Sequence, residues 1–206
     1  MSDRYEDITE QLARIYDAAV ERRAKSPLEP WKVPERAAFL ELLVHEERTS
    51  LLEIGAGTGV HGRFFADAGL DVVCADLSAA MVEHCRAQGL VAVQQDFLHL
   101  DLGRQFDAVF AMNCLLHVPP EDLPAAFAAV RATLLPGGLF YLGQYGGIVH
   151  DGVFADDTYD PKRYFSFLED DDLLAIVREH FEVESFRAVD IGSDDGEHFQ
   201  SLVLRA

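Results

Sequence analysis

The chain has 206 residues, of which 49% are hydrophobic and 26% are charged. This composition is typical of a globular protein, and the length suits one domain whose core needs neither disulfides nor a structural metal. Lys and Arg number 17 against 36 Asp and Glu, so the formal net charge is −19. Such a charge repels phosphate backbones and argues against nucleic acid as a partner, although it also serves solubility alone.

The cysteines and the N-terminus predict a cytoplasmic protein. Cys74, Cys85 and Cys114 lie in apolar segments without a CxxC pair, which indicates reduced, buried thiols. Residues 1–7 are acidic and do not resemble a signal peptide. No apolar run approaches the ~20 residues of a membrane span. No HExxH motif indicates a metal site. We expect no membrane, no metal, and either a monomer or a homodimer.

The first 46 residues predict two helices that form a lid outside the sheet core. Five apolar residues share one face at helical spacing: Ile8, Leu12, Ile15, Tyr16 and Ala19. A break that contains Pro27 and Pro30 follows, and Pro34 then opens the second helix.

From residue 50 onward, short apolar runs alternate with helical segments, which predicts a doubly wound parallel α/β sheet. The runs are residues 51–54, 72–75, 91–93, 106–111 and 139–142. Helices are predicted between them at residues 60–68, around Met81 and around Phe127. Residues 143–160 show no periodicity and predict a long loop.

The end of the chain differs from this alternation. A helix opens with three aspartates, Asp170 to Asp172, and ends near Arg178, an order that suits the helix dipole. Strands at residues 181–189 and 198–204 are joined by a short turn, which makes them an antiparallel hairpin. Residues 50–206 are therefore expected to form one core with a single reversed strand.

A glycine-rich loop, Glu53-Ile54-Gly55-Ala56-Gly57-Thr58-Gly59, joins the first strand of this core to its first helix. Glycines let the backbone approach a ligand at the carboxyl end of the strand. Residues 57–62 also fit the dinucleotide fingerprint G-x-G-x-x-G, but that register begins too late for a strand ending at Ile54. With Gly55 first, an acid at Glu53 precedes the loop, and such a buried acid favours a nearby cation. S-adenosylmethionine (SAM) offers a sulfonium and an ammonium, whereas a pyrophosphate would be repelled.

Two carboxylates follow the next two strands. Asp76 ends the second strand, where a carboxylate accepts both ribose hydroxyls in SAM and NAD enzymes alike. Asp96 follows the third strand, where the adenine amino group would lie; the alternative is a solvated loop acid. Phe97 and Met81 are placed to sandwich the adenine ring, and Met81 is equally explained by core packing.

Taken in order, these motifs resemble the class I SAM-dependent methyltransferase superfamily. Five segments over about half of the chain carry the resemblance: residues 53–59, 76–78, 96–97, 106–110 and 135–138. It implies a Rossmann-like seven-stranded sheet in the order 3-2-1-4-5-7-6, with strand 7 antiparallel. It also implies SAM as the cofactor, bound by Glu53, Gly55, Ala56, Gly57, Gly59, Asp76, Leu77, Met81, Asp96, Phe97 and Asn113.

The activity implied by this resemblance is in-line transfer of the SAM methyl group to a small-molecule acceptor, for which alignment matters most. Asn113 and His117 are the candidate catalytic residues, with His117 as a possible base. The substrate pocket is expected to include Tyr16, Trp31, His117 and Tyr145.

Each of these residues has a structural alternative. Tyr16 and Trp31 are also explained as core contacts, Tyr145 as a surface residue, and His117 as a packing residue. The family often has two histidines after strand four where this chain has Leu116-His117, which weakens the histidine role. The alternative function is a non-catalytic SAM-binding regulatory or assembly protein. An NAD-dependent oxidoreductase is disfavoured because no Tyr-x-x-x-Lys follows strand four.

Overall fold

Nine strands are present in residues 3–206, the part of the chain that the computed structural model describes. They are β1 (Ser50–Ile54), β2 (Asp71–Asp76), β3 (Val91–Gln94), β4 (Phe106–Met112), β5 (Leu134–Gly146), β6 (His150–Val153), β7 (Tyr164–Phe167), β8 (Glu182–Val189) and β9 (His198–Arg205). Seven of these described strands form the main sheet in the order β3-β2-β1-β4-β5-β9-β8. Because β9 runs antiparallel to both neighbours, the predicted order and the reversed last strand are confirmed.

Six α-helices of the described residues surround this sheet: α1 (Asp3–Lys25), α2 (Lys32–His45), α3 (Val60–Asp67), α4 (Ala79–Ala87), α5 (Leu123–Ala132) and α6 (Asp170–Arg178). Successive strand residues point to opposite faces, so β4 sends Val109 to one layer and Phe110 to the other. The Val109 layer contains apolar residues of α5 and α6, and the Phe110 layer those of α2, α3 and α4. The doubly wound architecture is therefore confirmed.

Helix α2 belongs to the core. Phe39 is fully buried, and its ring centroid lies 5.4 Å from that of Tyr141. Glu35, also buried, accepts hydrogen bonds from Ser201 Oγ at 2.6 Å, Arg187 Nη2 at 2.7 Å and Tyr141 Oη at 3.2 Å. The expectation that both N-terminal helices stand outside the core is wrong for α2, because its apolar face covers one side of the sheet.

Helix α1 places the fully buried Tyr5 in the Val109 layer and spans from α4 to the β6–β7 hairpin. Asp17 accepts hydrogen bonds from Ser78 Oγ at 2.5 Å and from the Ala80 amide at 3.0 Å, at the start of α4. Towards the hairpin, Leu12 packs in a cluster with Tyr164 of β7. None of the helices in residues 3–206 has the length and apolar character that a membrane span requires.

The segment 143–160, which we expected to be a loop, contains strand residues. Strand β5 continues to Gly146 along β9, and β6 pairs with β7 in a separate two-stranded sheet. All four residues of β7 are buried, so this strand shows no alternation. The four residues of β6 contain no apolar run. Pairing with a distant partner therefore creates this hairpin, and no local pattern marks it.

Candidate active site

The glycine loop bends sharply at the end of β1. Gly55 and Gly57 have φ angles of +64° and +54°, a region that side chains rarely adopt. A Cβ atom at Gly55 would lie 2.3 Å from Cys114 Cβ, so packing against the end of β4 requires a glycine there. A Cβ atom at Gly57 would meet only the guanidinium of Arg23, at 3.8 Å. Gly57 therefore leaves the loop open on the side that faces α1.

Asp76 is held rigidly beside this loop. Its two carboxylate oxygens accept hydrogen bonds from the Gly57 amide at 2.7 Å and the Ser78 amide at 2.9 Å. Burial raises the pKa of Asp76, and these two bonds oppose that rise. Each carboxylate oxygen keeps a further lone pair for a ligand, as the predicted ribose contact requires.

A cavity with ≈ 520 Å³ of empty volume, part of it open to solvent, lies between the strand ends and α1. We call it the strand-end cavity; its lining is Leu12, Tyr16, Arg23, Gly55, Gly57, Asp76, Leu77, Met81, Phe97, Met112, Asn113, Cys114 and His117. Most of the predicted cofactor residues are thus brought together. Ala56 borders an adjoining space with Asn113 and Arg23.

Glu53 does not line the strand-end cavity. It is buried beneath the loop, where Cys74 Sγ donates a hydrogen bond to Oε2 at 3.4 Å. Burial raises the pKa of Glu53 to about 8, so the carboxyl group is largely protonated at neutral pH. Gly59 also faces away from the cavity, since its Cβ would lie 2.7 Å from Leu90 Cδ1. Both residues therefore lie on the side of the loop that faces away from the strand-end cavity.

Asp96 likewise lies outside the cavity lining. Its Oδ1 accepts hydrogen bonds from the Leu98 amide at 2.8 Å and the Tyr5 hydroxyl at 3.4 Å. Its Oδ2 pairs with His99 Nδ1 at 2.8 Å. The Asp96 carboxylate therefore connects its own loop to α1 through hydrogen bonds. The neighbouring residue Phe97 lines the cavity instead.

His117 and Tyr16 form a hydrogen-bonded pair at the cavity wall. His117 Nδ1 lies 2.7 Å from the Tyr164 carbonyl oxygen, which only accepts, so Nδ1 carries the proton. Nε2 then accepts from the Tyr16 hydroxyl at 2.8 Å, and Arg163 Nη1 donates to the Tyr16 oxygen at 2.9 Å. Burial lowers the pKa of His117 to about 3. His117 is therefore neutral near pH 7 with both ring nitrogens engaged, an arrangement that does not suit the predicted base.

Asn113 directly follows β4 and has a φ angle of +55°, and its backbone amide donates to the Gly143 carbonyl at 2.7 Å. Its side chain interacts with the hydroxyl of Tyr145, which donates to Glu29 Oε2 at 3.1 Å. Asn113 Oδ1 is left buried, without a hydrogen-bond partner in the described part of the chain.

A second cavity, with ≈ 1,130 Å³ of empty volume open to solvent, adjoins the first. We call it the hairpin cavity. Its lining is Tyr16, Arg23, Glu29, Lys32, Asn113, Leu116, His117, Tyr145, Phe154, Asp156, Asp157, Thr158, Arg163, Phe165, Phe167 and Glu197. Tyr16, His117 and Tyr145, which were predicted to line a substrate pocket, all line this cavity. Trp31 does not line it and packs on Phe199, with ring centroids 4.3 Å apart, so its alternative as a packing residue is the one observed.

Three site features were missed from the sequence: Arg23, Arg163 and the phenylalanines of the hairpin. Arg23 borders both cavities and continues the face of α1 that carries Leu12 and Tyr16, at spacings of four and seven residues. That spacing was a usable signal. Arg163 and Phe165 lie in a segment whose fold no local pattern indicates.

The strand order and the strand-end cavity agree with the class I SAM-dependent methyltransferase domain that the sequence motifs resemble. A sequence model of the methyltransferase domain family matches residues 51–138.

Curated relatives include the glycine/sarcosine N-methyltransferase of Halorhodospira halochloris, 33% identical over 133 residues, or 59% of this chain and 50% of the relative. Another is the dTDP-3-amino-3,6-dideoxy-alpha-D-glucopyranose N,N-dimethyltransferase of Streptomyces fradiae, 31% identical over 140 residues, or 65% of this chain and 52% of the relative. The chain spans about half the length of these relatives.

Among solved structures, a similar one is the Burkholderia thailandensis 1,6-didemethyltoxoflavin-N1-methyltransferase with bound 1,6-didemethyltoxoflavin and S-adenosylhomocysteine. Its TM-score is 0.75 at 21% identity, over 98% of this chain and 88% of that one. At this identity the likeness establishes the fold.

Proposed function

We propose that the protein transfers a methyl group from SAM to a small-molecule acceptor. The observation that carries this proposal is the junction of two cavities. Tyr16, Arg23, Asn113 and His117 line both the strand-end cavity and the hairpin cavity. A methyl donor in the first would therefore face an acceptor in the second, as in-line displacement requires.

The residues of the strand-end cavity fit SAM. Asp76 would hold the ribose hydroxyls, and the apolar side chains of Met81 and Phe97 would enclose the adenine ring. The open face of Gly57 admits the ligand, while Arg23 above it suits the methionine carboxylate. When bound, SAM supplies an electrophilic methyl group. Its contacts to Glu53, Gly59 and Asp96 are not part of this proposal, since those side chains or Cβ positions face elsewhere.

The chain's own residues supply alignment. Helix α1 and the β6–β7 hairpin enclose the junction, and Arg163 and His117 together fix the Tyr16 hydroxyl from two sides. In this proposal His117 is a positioning residue for Tyr16, because its lowered pKa leaves it little basicity. Such a site accelerates transfer mainly through proximity and orientation.

We also propose the class of acceptor, the cellular location, the oligomeric state and the metal requirement of the protein. A net charge of −19 supports a small-molecule acceptor over a nucleic acid. We expect a cytoplasmic monomer or homodimer that needs no metal. In residues 3–206, no group of three or more His, Cys, Asp or Glu side chains is arranged to hold a metal ion.

Calorimetry with SAM, S-adenosylhomocysteine and NAD tests the proposal. We expect SAM and S-adenosylhomocysteine to bind and NAD not to bind. Incubation with SAM and a metabolite panel should then release S-adenosylhomocysteine. Absence of SAM binding would refute the proposal. Binding without turnover on any acceptor would favour the non-catalytic alternative.

A further inference from the structure

Ser78 links the Asp76 carboxylate to the start of α4. Ser78 is fully buried, and its backbone amide donates to Asp76 Oδ1 at 2.9 Å. Its hydroxyl oxygen accepts a hydrogen bond from the Met81 amide at 3.1 Å, which makes Ser78 the N-cap of α4. Asp76 and Met81 both line the strand-end cavity. The orientation of these two residues therefore depends on how Ser78 itself is held.

Asp17 of α1 fixes the Ser78 hydroxyl. Ser78 Oγ donates to Asp17 Oδ1 at 2.5 Å, and the same carboxylate oxygen accepts a hydrogen bond from the Ala80 amide at 3.0 Å. The first turn of a helix leaves its amides without partners inside the helix. In α4 the Ser78 cap satisfies the Met81 amide, and a carboxylate from another helix satisfies the Ala80 amide. The helix dipole also favours a negative charge at this end of α4.

Helix α1 does not depend on Asp17 for its own attachment. Near one end of α1, Tyr5 is buried in the Val109 layer. Near the other end, Arg22 Nη2 donates to Thr158 Oγ1 at 2.7 Å. Asp17 itself is exposed and lines neither the strand-end cavity nor the hairpin cavity. The loss of the Asp17 carboxylate therefore leaves α1 attached at both ends and removes no direct contact to a ligand.

We propose that Asp17 is a positioning residue for the nucleoside part of SAM. Through Ser78 it fixes the Asp76 carboxylate and the first turn of α4, which meet the ribose and the adenine in the proposed function. A carboxylate that is already oriented loses less conformational freedom when the ribose binds, and this preorganisation strengthens binding. The inference rests on the proposed function and deepens it, because it gives α1 a role in cofactor recognition without a contact to the cofactor.

Asp17→Ala should weaken the binding of S-adenosylhomocysteine and of 5′-methylthioadenosine by the same factor. The Ser78 hydroxyl and the Ala80 amide lose their acceptor in this variant, so we expect dissociation constants roughly fivefold larger, as one lost hydrogen bond implies. The two ligands share the ribose and the adenine and differ in the amino-acid portion. Titration calorimetry measures both affinities. A loss confined to S-adenosylhomocysteine would overturn the proposal, because Asp17 would then act on the amino-acid portion.

Two further variants separate positioning from a general effect on α1. Asp17→Asn keeps an oxygen that accepts both hydrogen bonds, so its affinities should stay within about twofold of those of the unmodified protein. Glu21→Ala, an exposed acid of the same helix that pairs with Lys25, is the matched control and should change neither affinity. A loss as large in Asp17→Asn or in the control as in Asp17→Ala overturns the proposal.

A double-mutant cycle with Ser78→Ala tests the route of the effect. Since Asp17 acts through Ser78, the double variant should bind both ligands no more than about twofold more weakly than Ser78→Ala alone. Additive losses would place the effect of Asp17 elsewhere on α1 and overturn the proposal. If Asp17→Ala does not fold, Ser78→Ala alone decides, because unchanged affinities in that variant also overturn the proposal. Failure of S-adenosylhomocysteine to bind the unmodified protein would instead refute the proposed function.

Discussion

Arg23→Met should separate recognition of the amino-acid part of SAM from recognition of its nucleoside. In the structure, Nε and Nη2 of Arg23 lie 3.8 Å from the Cβ position of Gly57, directly over the loop. Its Nη1 donates a hydrogen bond to the hydroxyl of Tyr159 at 3.3 Å. Methionine keeps most of the apolar stem and removes the charge. If Arg23 meets the ligand carboxylate, only ligands with that carboxylate should lose affinity.

The size of the loss follows from the burial of the pair. Hydrogen bonds to charged groups contribute about 1.5–3 kcal/mol when buried. Arg23 is exposed to solvent, so the lower end of that range applies. A loss of about 1.5 kcal/mol of binding free energy corresponds to a roughly tenfold larger dissociation constant.

Titration calorimetry with S-adenosylhomocysteine and 5′-methylthioadenosine measures the effect. The second ligand has the same nucleoside and lacks the amino-acid portion, so its affinity should not change. Arg14→Met, on the exposed side of α1 and paired with Glu10, is the matched control. Equal losses for both ligands would refute the reasoning, because Arg23 would then be supporting α1 or the nucleoside site.

Three further predictions concern the loop, a buried histidine and the α2 contact. Gly57→Ala should weaken the binding of S-adenosylhomocysteine and lower stability by only about 1–2 kcal/mol, the cost of a left-handed alanine. Gly55→Ala should unfold the protein, because its Cβ would lie 2.3 Å from Cys114 Cβ. Thermal melts that rank the two variants the other way would contradict this packing. Burial lowers the pKa of His61 to about 3, so the unfolded chain binds the extra proton and stability falls by about 1.4 kcal/mol per unit as pH drops from 6.5 towards 3. His61→Phe should reduce that slope in urea denaturation, and the remaining slope should include the contribution of His117, whose pKa is lowered in the same way. An unchanged slope would count against this prediction. Glu35→Ala should cost about 1–3 kcal/mol in the same assay, since two buried hydroxyls lose their acceptor; no change would mean that α2 is held by its apolar face alone.

The strands of the main sheet were predictable because their signals are local, whereas the order of the strands was predicted only from the family resemblance. Strands buried on both faces read as continuous apolar runs, and β4 (Phe106–Met112) is buried at six of its seven positions. The sequence of a helix does not specify which layer of the fold the helix joins. Phe39 and Leu43 of α2 indicate an apolar face and do not specify that this face closes the sheet beside Tyr141.

The site residues whose positions depend on the glycine loop were predictable from the sequence. Those whose positions depend on long-range contacts were not. Gly55, Gly57 and Asp76 follow from the strand–loop–helix pattern and lie where that pattern predicts. Glu53 and Asp96 belong to the same motifs, yet their carboxyl groups form hydrogen bonds with Cys74 and His99 and do not line the strand-end cavity. Motif position fixes where the backbone lies, and neighbouring donors decide which way a carboxylate points.

The role of His117 shows most directly why tertiary contacts decide chemistry. A histidine at neutral pH is a plausible base when only its intrinsic pKa is known. In the fold, burial and the nearby cations of Arg163 and Arg23 disfavour the imidazolium, and the Tyr164 carbonyl opposes this only in part. The Tyr16 hydroxyl, 101 residues away in sequence, occupies the one nitrogen that could accept a proton. A base in this position would have to lose that bond and carry a buried charge beside two arginines. The same contacts make His117 an effective support for Tyr16, and methyl transfer to a deprotonated nucleophile requires alignment more than proton transfer.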